Sequence, residues 1–150
     1  MSVPALDVEQ LKLVAFDTDD LAVVSAHLQD AVVLVGDLAY LPECRRFALL
    51  ARRYDWEAPG AEPRRRLTGL HFERVGNCRT RGIDRARADQ PLSLLAVTFE
   101  GTDLPSGRAR LVFSGGACVE LDCECLEAKL KDLGPVWSAE NRPVHDLENT

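Results

Sequence analysis

Long apolar runs, lysine, histidine and aromatic residues are the scarce materials of this sequence. No uninterrupted apolar run exceeds five residues, Ala31–Val35 being one, and a bilayer-spanning helix needs roughly 20. Helical membrane spans are therefore excluded. The first twenty residues hold five acids and a single base, Lys12, so no basic segment followed by an apolar one marks a secretory leader, and a cytosolic setting is expected. Histidine occurs three times, as His27, His71 and His145, which leaves little material for histidine-based metal sites or triads. There is no G-x-S-x-G elbow, Walker A loop, G-x-G-x-x-G turn or H-E-x-x-H pair, and nucleotide-dependent or zincin-type chemistry is disfavoured accordingly. Five cysteines are an odd number without a secreted context and read as reduced thiols.

What is present fits one soluble globular domain: 150 residues, 46% hydrophobic and 28% charged. Net charge is −6 but uneven, with one base against seven acids up to Pro42, twelve bases against seven acids from Glu43 to Gln90, and five against ten thereafter. Fifteen of the eighteen bases are arginine, the side chain whose planar fork suits carboxylate and phosphate.

Periodicity supplies the elements. A short strand over Leu11–Phe16 leads into a helix capped by Asp17, with Phe16 and Leu21 as its hydrophobic staple and Leu21, Val24 and Leu28 on its buried face. Strands follow at Val32–Val35, Leu38–Leu41, Phe47–Trp56, Leu67–Val75, near Cys78–Ile83, and at Leu92–Glu100, with Glu57–Arg66 read as a loop and Gly76-Asn77 as a turn. In the hairpin Arg108–Asp122 a three-residue loop, Ser114–Gly116, pairs Leu111 with Val119 and Ala109 with Leu121 inward, and Arg110 with Glu120 and Arg108 with Asp122 outward. A glycine of that loop is expected in the left-handed region. Leu126, Leu130 and Leu133 then form a helical stripe that Gly134-Pro135 ends, so a C-terminal capping helix is expected. The fold class that follows is α+β. About seven antiparallel strands form a curved sheet or partly closed barrel of pleckstrin-homology-like form, as a single domain over residues 1–137 with a polar, frayed tail over 138–150.

Candidate chemistry concentrates in three places. Cys118, Cys123 and Cys125 form C-x4-C-x-C, a spacing that does not match zinc knuckles and sends the last two thiols apart, so no metal and no cofactor are expected. His71 and Glu73 share one strand face and make an acid–base pair if a pocket surrounds them. The basic centre is the third place: Arg52, Tyr54 and Trp56 alternate onto one face, and Arg64 and Arg66 follow in the next segment, together a mixed arginine–aromatic surface for an anionic ligand. Nucleic acid is a weaker fit, since the protein is acidic overall and poor in aromatics.

Three stretches carry a resemblance over nearly the whole chain: LKLVAFDTDDLAVVSAHLQDAVVLVGDLAYLPECRRFALLARRYDWE, RLTGLHFERV and SGGACVELDCECLEAKLKDLGPVW. They resemble a bacterial family catalogued as domain of unknown function 2948. The resemblance implies a single-domain cytosolic protein and transfers no catalytic or binding residue. The expected function is a non-enzymatic binding or adaptor module that recognises a protein partner or a small anionic ligand. A small enzyme built on His71 and Glu73 and a weak nucleic-acid binder are the alternatives, and exposed edge strands leave room for a homodimer.

Overall fold

The computed structural model describes residues 11–55, 64–133 and 137–138. In the first strand, β1 (Lys12–Ala15), Lys12 and Val14 face solvent while Ala15 is buried. Helix α1 (Thr18–Leu28) starts where expected: the Asp17 carboxylate accepts the Asp20 N–H at 2.8 Å, and Leu21, Val24 and Leu28 are buried. Phe16 is 63% exposed, so the staple is not closed from that side.

Nine more strands follow, β2 (Val32–Leu34), β3 (Leu38–Leu41), β4 (Arg46–Asp55), β5 (Arg64–Phe72), β6 (Val75–Arg81), β7 (Pro91–Gly101), β8 (Gly107–Phe113), β9 (Cys118–Cys123) and β10 (Ala128–Asp132), and the two-residue β11 (Trp137–Ser138) ends the described chain. All pairings are antiparallel, in the order β1-β10-β5-β4-β2-β7-β8-β9-β6, with β3 also against β4 and β11 against β5. Alternation sets the core. Phe47, Leu49, Leu70, Phe72, Leu111 and Leu130 are among the side chains that point inward and meet α1's apolar stripe in one cluster.

The hairpin register is the expected one. Leu111 faces Val119, Ala109 faces Leu121, Arg110 faces Glu120 and Arg108 faces Asp122. Phe113 N–H donates to the Ala117 carbonyl at 2.9 Å across the three-residue loop, in which Gly115 and Gly116 both have positive φ, 77° and 83°.

Four expectations need correction. The C-terminal capping helix is absent: Ala128–Asp132 is a strand, pairing β1 on one side and β5 on the other. The leucine stripe that fits a helix coexists there with a strict two-residue alternation, Ala128, Leu130 and Asp132 inward and Lys129 and Lys131 outward, and the open slot between two strands favours the latter. The pleckstrin-homology-like form loses the element it depended on. Second, the turn after β5 lies at Glu73–Arg74, where Arg74 takes φ 59°, and Gly76 sits in a bulge of β6. Third, Arg64–Arg66 belong to a strand, not a loop. Fourth, the described residues form eleven strands in place of about seven, and β10 and β11 are the two that no expected strand covers.

The sheet does not close. From β4 it runs through β2, β7, β8 and β9 to β6, which returns to the β3–β4 turn: Val75 N–H donates to the Arg45 carbonyl at 2.8 Å, and the Tyr40 hydroxyl donates to the Val75 carbonyl at 3.3 Å. Beyond that point β3 and β6 do not pair. At the far end the loop after β6 crosses to the turn before β3, with Gly36 N–H donating to the Ala88 carbonyl at 2.8 Å and Val35 N–H to the Gln90 carbonyl at 3.0 Å. A seam with two tied ends results. Among the described residues no helix is long and apolar enough to cross a membrane.

Candidate functional site

The arginine-rich pair β4 and β5 does not assemble the surface that alternation over β4 alone implies. Arg53 lies opposite Arg66, so both share the inner face, and Arg52 turns to the outer one. Inside, Asp132 of β10 is the hub. Its carboxylate accepts Arg53 Nη2 at 2.8 Å and Nε at 3.1 Å, the Thr68 hydroxyl at 2.7 Å and the Leu11 N–H at 2.7 Å, with Arg66 Nε at 3.7 Å. Burial alone would raise the Asp132 pKa, but the bonds from Arg53, Leu11 and Thr68 outweigh it and hold the carboxyl below its ordinary range. Arg66, 2% exposed, is thus part of the interior.

On the outer face Arg52 is 7% exposed, and its Nε and Nη1 find no hydrogen-bond partner; the Asp37 carboxylate stands 3.7 Å from Nη1. Tyr54 is covered by Arg65, whose guanidinium lies 3.9 Å from the ring centre while its Nη1 donates to the Arg52 carbonyl at 2.8 Å. The cation over the aromatic ring is therefore Arg65, a residue outside the expected set. Extending strand alternation through residues 64–66 is the signal that would have found it. Trp56 lies outside the described residues, as does the side chain of Arg64. Neutralising Arg52, Arg64 and Arg66 together would disturb two buried guanidiniums, so that combination does not isolate a binding surface.

His71 and Glu73 do meet, His71 Nδ1 lying 2.5 Å from Glu73 Oε2, which also accepts Arg46 Nε at 2.8 Å. Burial pushes the Glu73 pKa up, but Arg46 and His71 more than offset it and keep the carboxyl ionised below its usual range. The depression beside them, about 360 Å³, is lined by Arg46, Glu73, Arg74, Glu127 and Lys129 among others and leaves His71 outside its walls. Three ion pairs hold this corner, Arg46–Glu73, Arg74–Glu127 and Arg45–Glu124. The arrangement ties the β5–β6 turn to its neighbours.

The thiols do not converge. All five cysteines are unbridged, and no cluster of metal-binding side chains occurs among the described residues. Cys123 is buried, which pushes its thiol up to about 11.

The seam between β3 and β6 is the concavity that sequence reasoning missed. It encloses about 360 Å³, within the range of small-ligand sites. Leu38 and Tyr40 of β3 form one wall and Cys78 and Thr80 of β6 the other, with Phe47 and Val119 among the apolar lining and Ile83 and Arg85 supplied by the following loop. Burial pushes the Cys78 thiol up, although Arg85 and Arg79 pull the other way, so it stays a neutral thiol at pH 7. Strand periodicity marks Cys78 and Thr80 as one face of a strand, but which edges stay unpaired is decided by long-range pairing that no local pattern records.

A family model described as "Protein of unknown function (DUF2948)" matches residues 11–145. No curated protein and no solved structure matches the chain.

Proposed function

The chain belongs to the DUF2948 family, described as of unknown function, and from its geometry we propose that it is a non-enzymatic binding module whose ligand sits in the seam between β3 and β6. The observation that carries this reading is the seam itself: about 360 Å³ between two strand edges that do not pair with each other, tied at both ends and lined by apolar side chains together with Thr80, Arg85 and strand-edge backbone. Two strand edges facing a shared groove leave backbone donors and acceptors unpaired, and a ligand lodged between them can take these up. The binding surface first expected at Arg52, Tyr54, Trp56, Arg64 and Arg66 is less suited, since Arg66 is bound into the interior and Tyr54 is already stacked. The acid–base reading of His71 and Glu73 is less suited, since the depression beside the pair does not include His71 in its lining.

Native mass spectrometry of the protein isolated from its own host tests the proposal. A small-molecule adduct is expected on the wild-type chain and its loss is expected in Thr80→Trp, which fills the seam from an exposed wall position, with the melting temperature as the control for folding. A bare polypeptide in both samples would overturn the small-ligand reading and favour recognition of a protein partner along the sheet edge.

A further inference from the structure

The seam's own charge distribution narrows its occupant, an inference that rests on the binding reading above. The geometry points to a small organic monoanion, a carboxylate carried on an acyl or aryl body of medium length, with Arg85 holding the carboxylate. Arg85 is the one charged side chain in the lining, and no aspartate or glutamate joins it there. It makes no ion pair with any described residue. The neighbouring Asp84 is turned to its own loop, accepting the Ala86 N–H at 3.1 Å. A guanidinium so placed offers a free fork of donors at the seam, and a carboxylate takes that fork with two parallel bonds.

A single guanidinium neutralises a single charge. A phosphate monoester, at roughly −1.5 to −2 near neutral pH, would leave its second charge without a cation, since Arg85 is the one basic side chain in the lining. Cys78, kept protonated by its burial, adds no competing anion. The other end of the seam suits a tail. Pro42, Phe47 and the Tyr40 ring line it, and the Tyr40 hydroxyl is committed to the Val75 carbonyl. Each strand wall offers two steps, Leu38 to Tyr40 and Cys78 to Thr80, roughly 7 Å of trough at about 3.3 Å per residue, which matches a medium-length body and not a long lipid.

Backbone amide chemical-shift titrations with octanoate and with its neutral counterpart octanol, on the wild type and on Arg85→Gln, decide the matter. Arg85 is exposed and unpaired, so the substitution leaves the fold's contacts in place, and an unchanged melting temperature checks this. Octanoate is expected to shift the amides around Leu38, Ala39, Cys78 and Thr80 saturably and to bind roughly tenfold or more tighter than octanol, the worth of a charge-assisted bond. Arg85→Gln is expected to bring octanoate down to octanol's level. Equal binding of the two probes to the wild type, or octanoate binding that ignores Arg85→Gln, would overturn the carboxylate while leaving the seam as the binding site. Absence of any shift from either probe also overturns it, and the site itself then stands or falls on the mass-spectrometric comparison with Thr80→Trp.

Discussion

Arg52 and Arg53 are adjacent on β4, and the pleat sends them into opposite surroundings. Arg53 is locked to Asp132 by two bonds, while the buried Arg52 guanidinium has a looser ion pair with Asp37 at 3.7 Å and two nitrogens that make no hydrogen bond. Removing one member of a buried ion pair strands the other charge in a low-dielectric interior, as removing Arg53 does for Asp132, whereas the Asp37 side chain is 27% exposed and is hydrated by solvent when Arg52 goes, and the desolvation of the unsatisfied guanidinium nitrogens ends with it. Arg53→Met is therefore expected to cost about 3–5 kcal/mol in urea denaturation, and Arg52→Met to be neutral or stabilising by about 1 kcal/mol. The partner acid adds a pH signature. Because the native bonds depress the Asp132 pKa, the stability it contributes is full above the ordinary aspartate value and is lost as pH falls through the lower, folded value. The stability gap between wild type and Asp132→Asn should thus be widest near neutrality and close below about pH 4. A gap that stays constant with pH would show that Asp132 acts through packing alone. None of this was legible locally, since Asp132 meets Arg53 and Thr68 across 79 and 64 residues of sequence.

At the scale of elements, legibility follows the range of the deciding interactions. The β8–β9 hairpin was readable because only one register buries Leu111 and Val119 together while pairing Arg110 with Glu120, and both partners lie within a few residues of the turn. β10 was misread because its residues fit two periods equally, and the choice was made by β1 and β5, each distant in sequence. The loop at Gly115-Gly116 and the strand start at Gly107 use glycine for different reasons, and substitution separates them. A Cβ at Gly116 meets nothing within 4 Å, so Gly116→Ala pays only for its positive φ, about 1–2 kcal/mol, and Gly116→Asn less. At Gly107 a Cβ would lie 2.3 Å from the Phe99 ring and 2.6 Å from the Glu100 carbonyl oxygen. Both neighbours belong to the paired β7, so relief means shifting a strand, and Gly107→Ala is expected to cost at least as much as the turn variant, about 1–3 kcal/mol. Parallel denaturant curves report both costs; a Gly107→Ala variant as stable as wild type would show that β7 and the Phe99 ring shift together at little cost.

For the whole molecule, two of the three charge blocks of the sequence, the basic centre and the acidic C-terminal third, meet in space. Arg45 pairs with Glu124, Arg74 with Glu127, and Arg79 with Asp122, so the basic centre meets the acidic C-terminal third across the sheet. The Asp122 carboxyl, held by Arg79 first and Arg108 second against the opposing effect of burial, sits near a pKa of about 2. This pairing is why the basic block does not gather into an anion-binding face, and why Arg85, a guanidinium beside a concavity with no ion pair to a described residue, carries more information than the count of fifteen arginines. The sheet's incomplete closure has a dynamic consequence. Along a strand with only one neighbour, alternate N–H groups point away from any partner, so β3 and β6 each expose donors to the seam, while every N–H of β8 lies between β7 and β9. Native-state hydrogen exchange should therefore find the Leu111 region opening only with global unfolding and the seam-facing amides of β3 and β6 exchanging through local fluctuations, faster by about 100-fold or more. Filling the seam with a ligand should slow the seam amides selectively, because it removes water from those donors, whereas the amides of β8 are already paired on both sides. Equal protection of β3 and β8 in the free protein would mean that the seam is closed in solution, and the binding site with it.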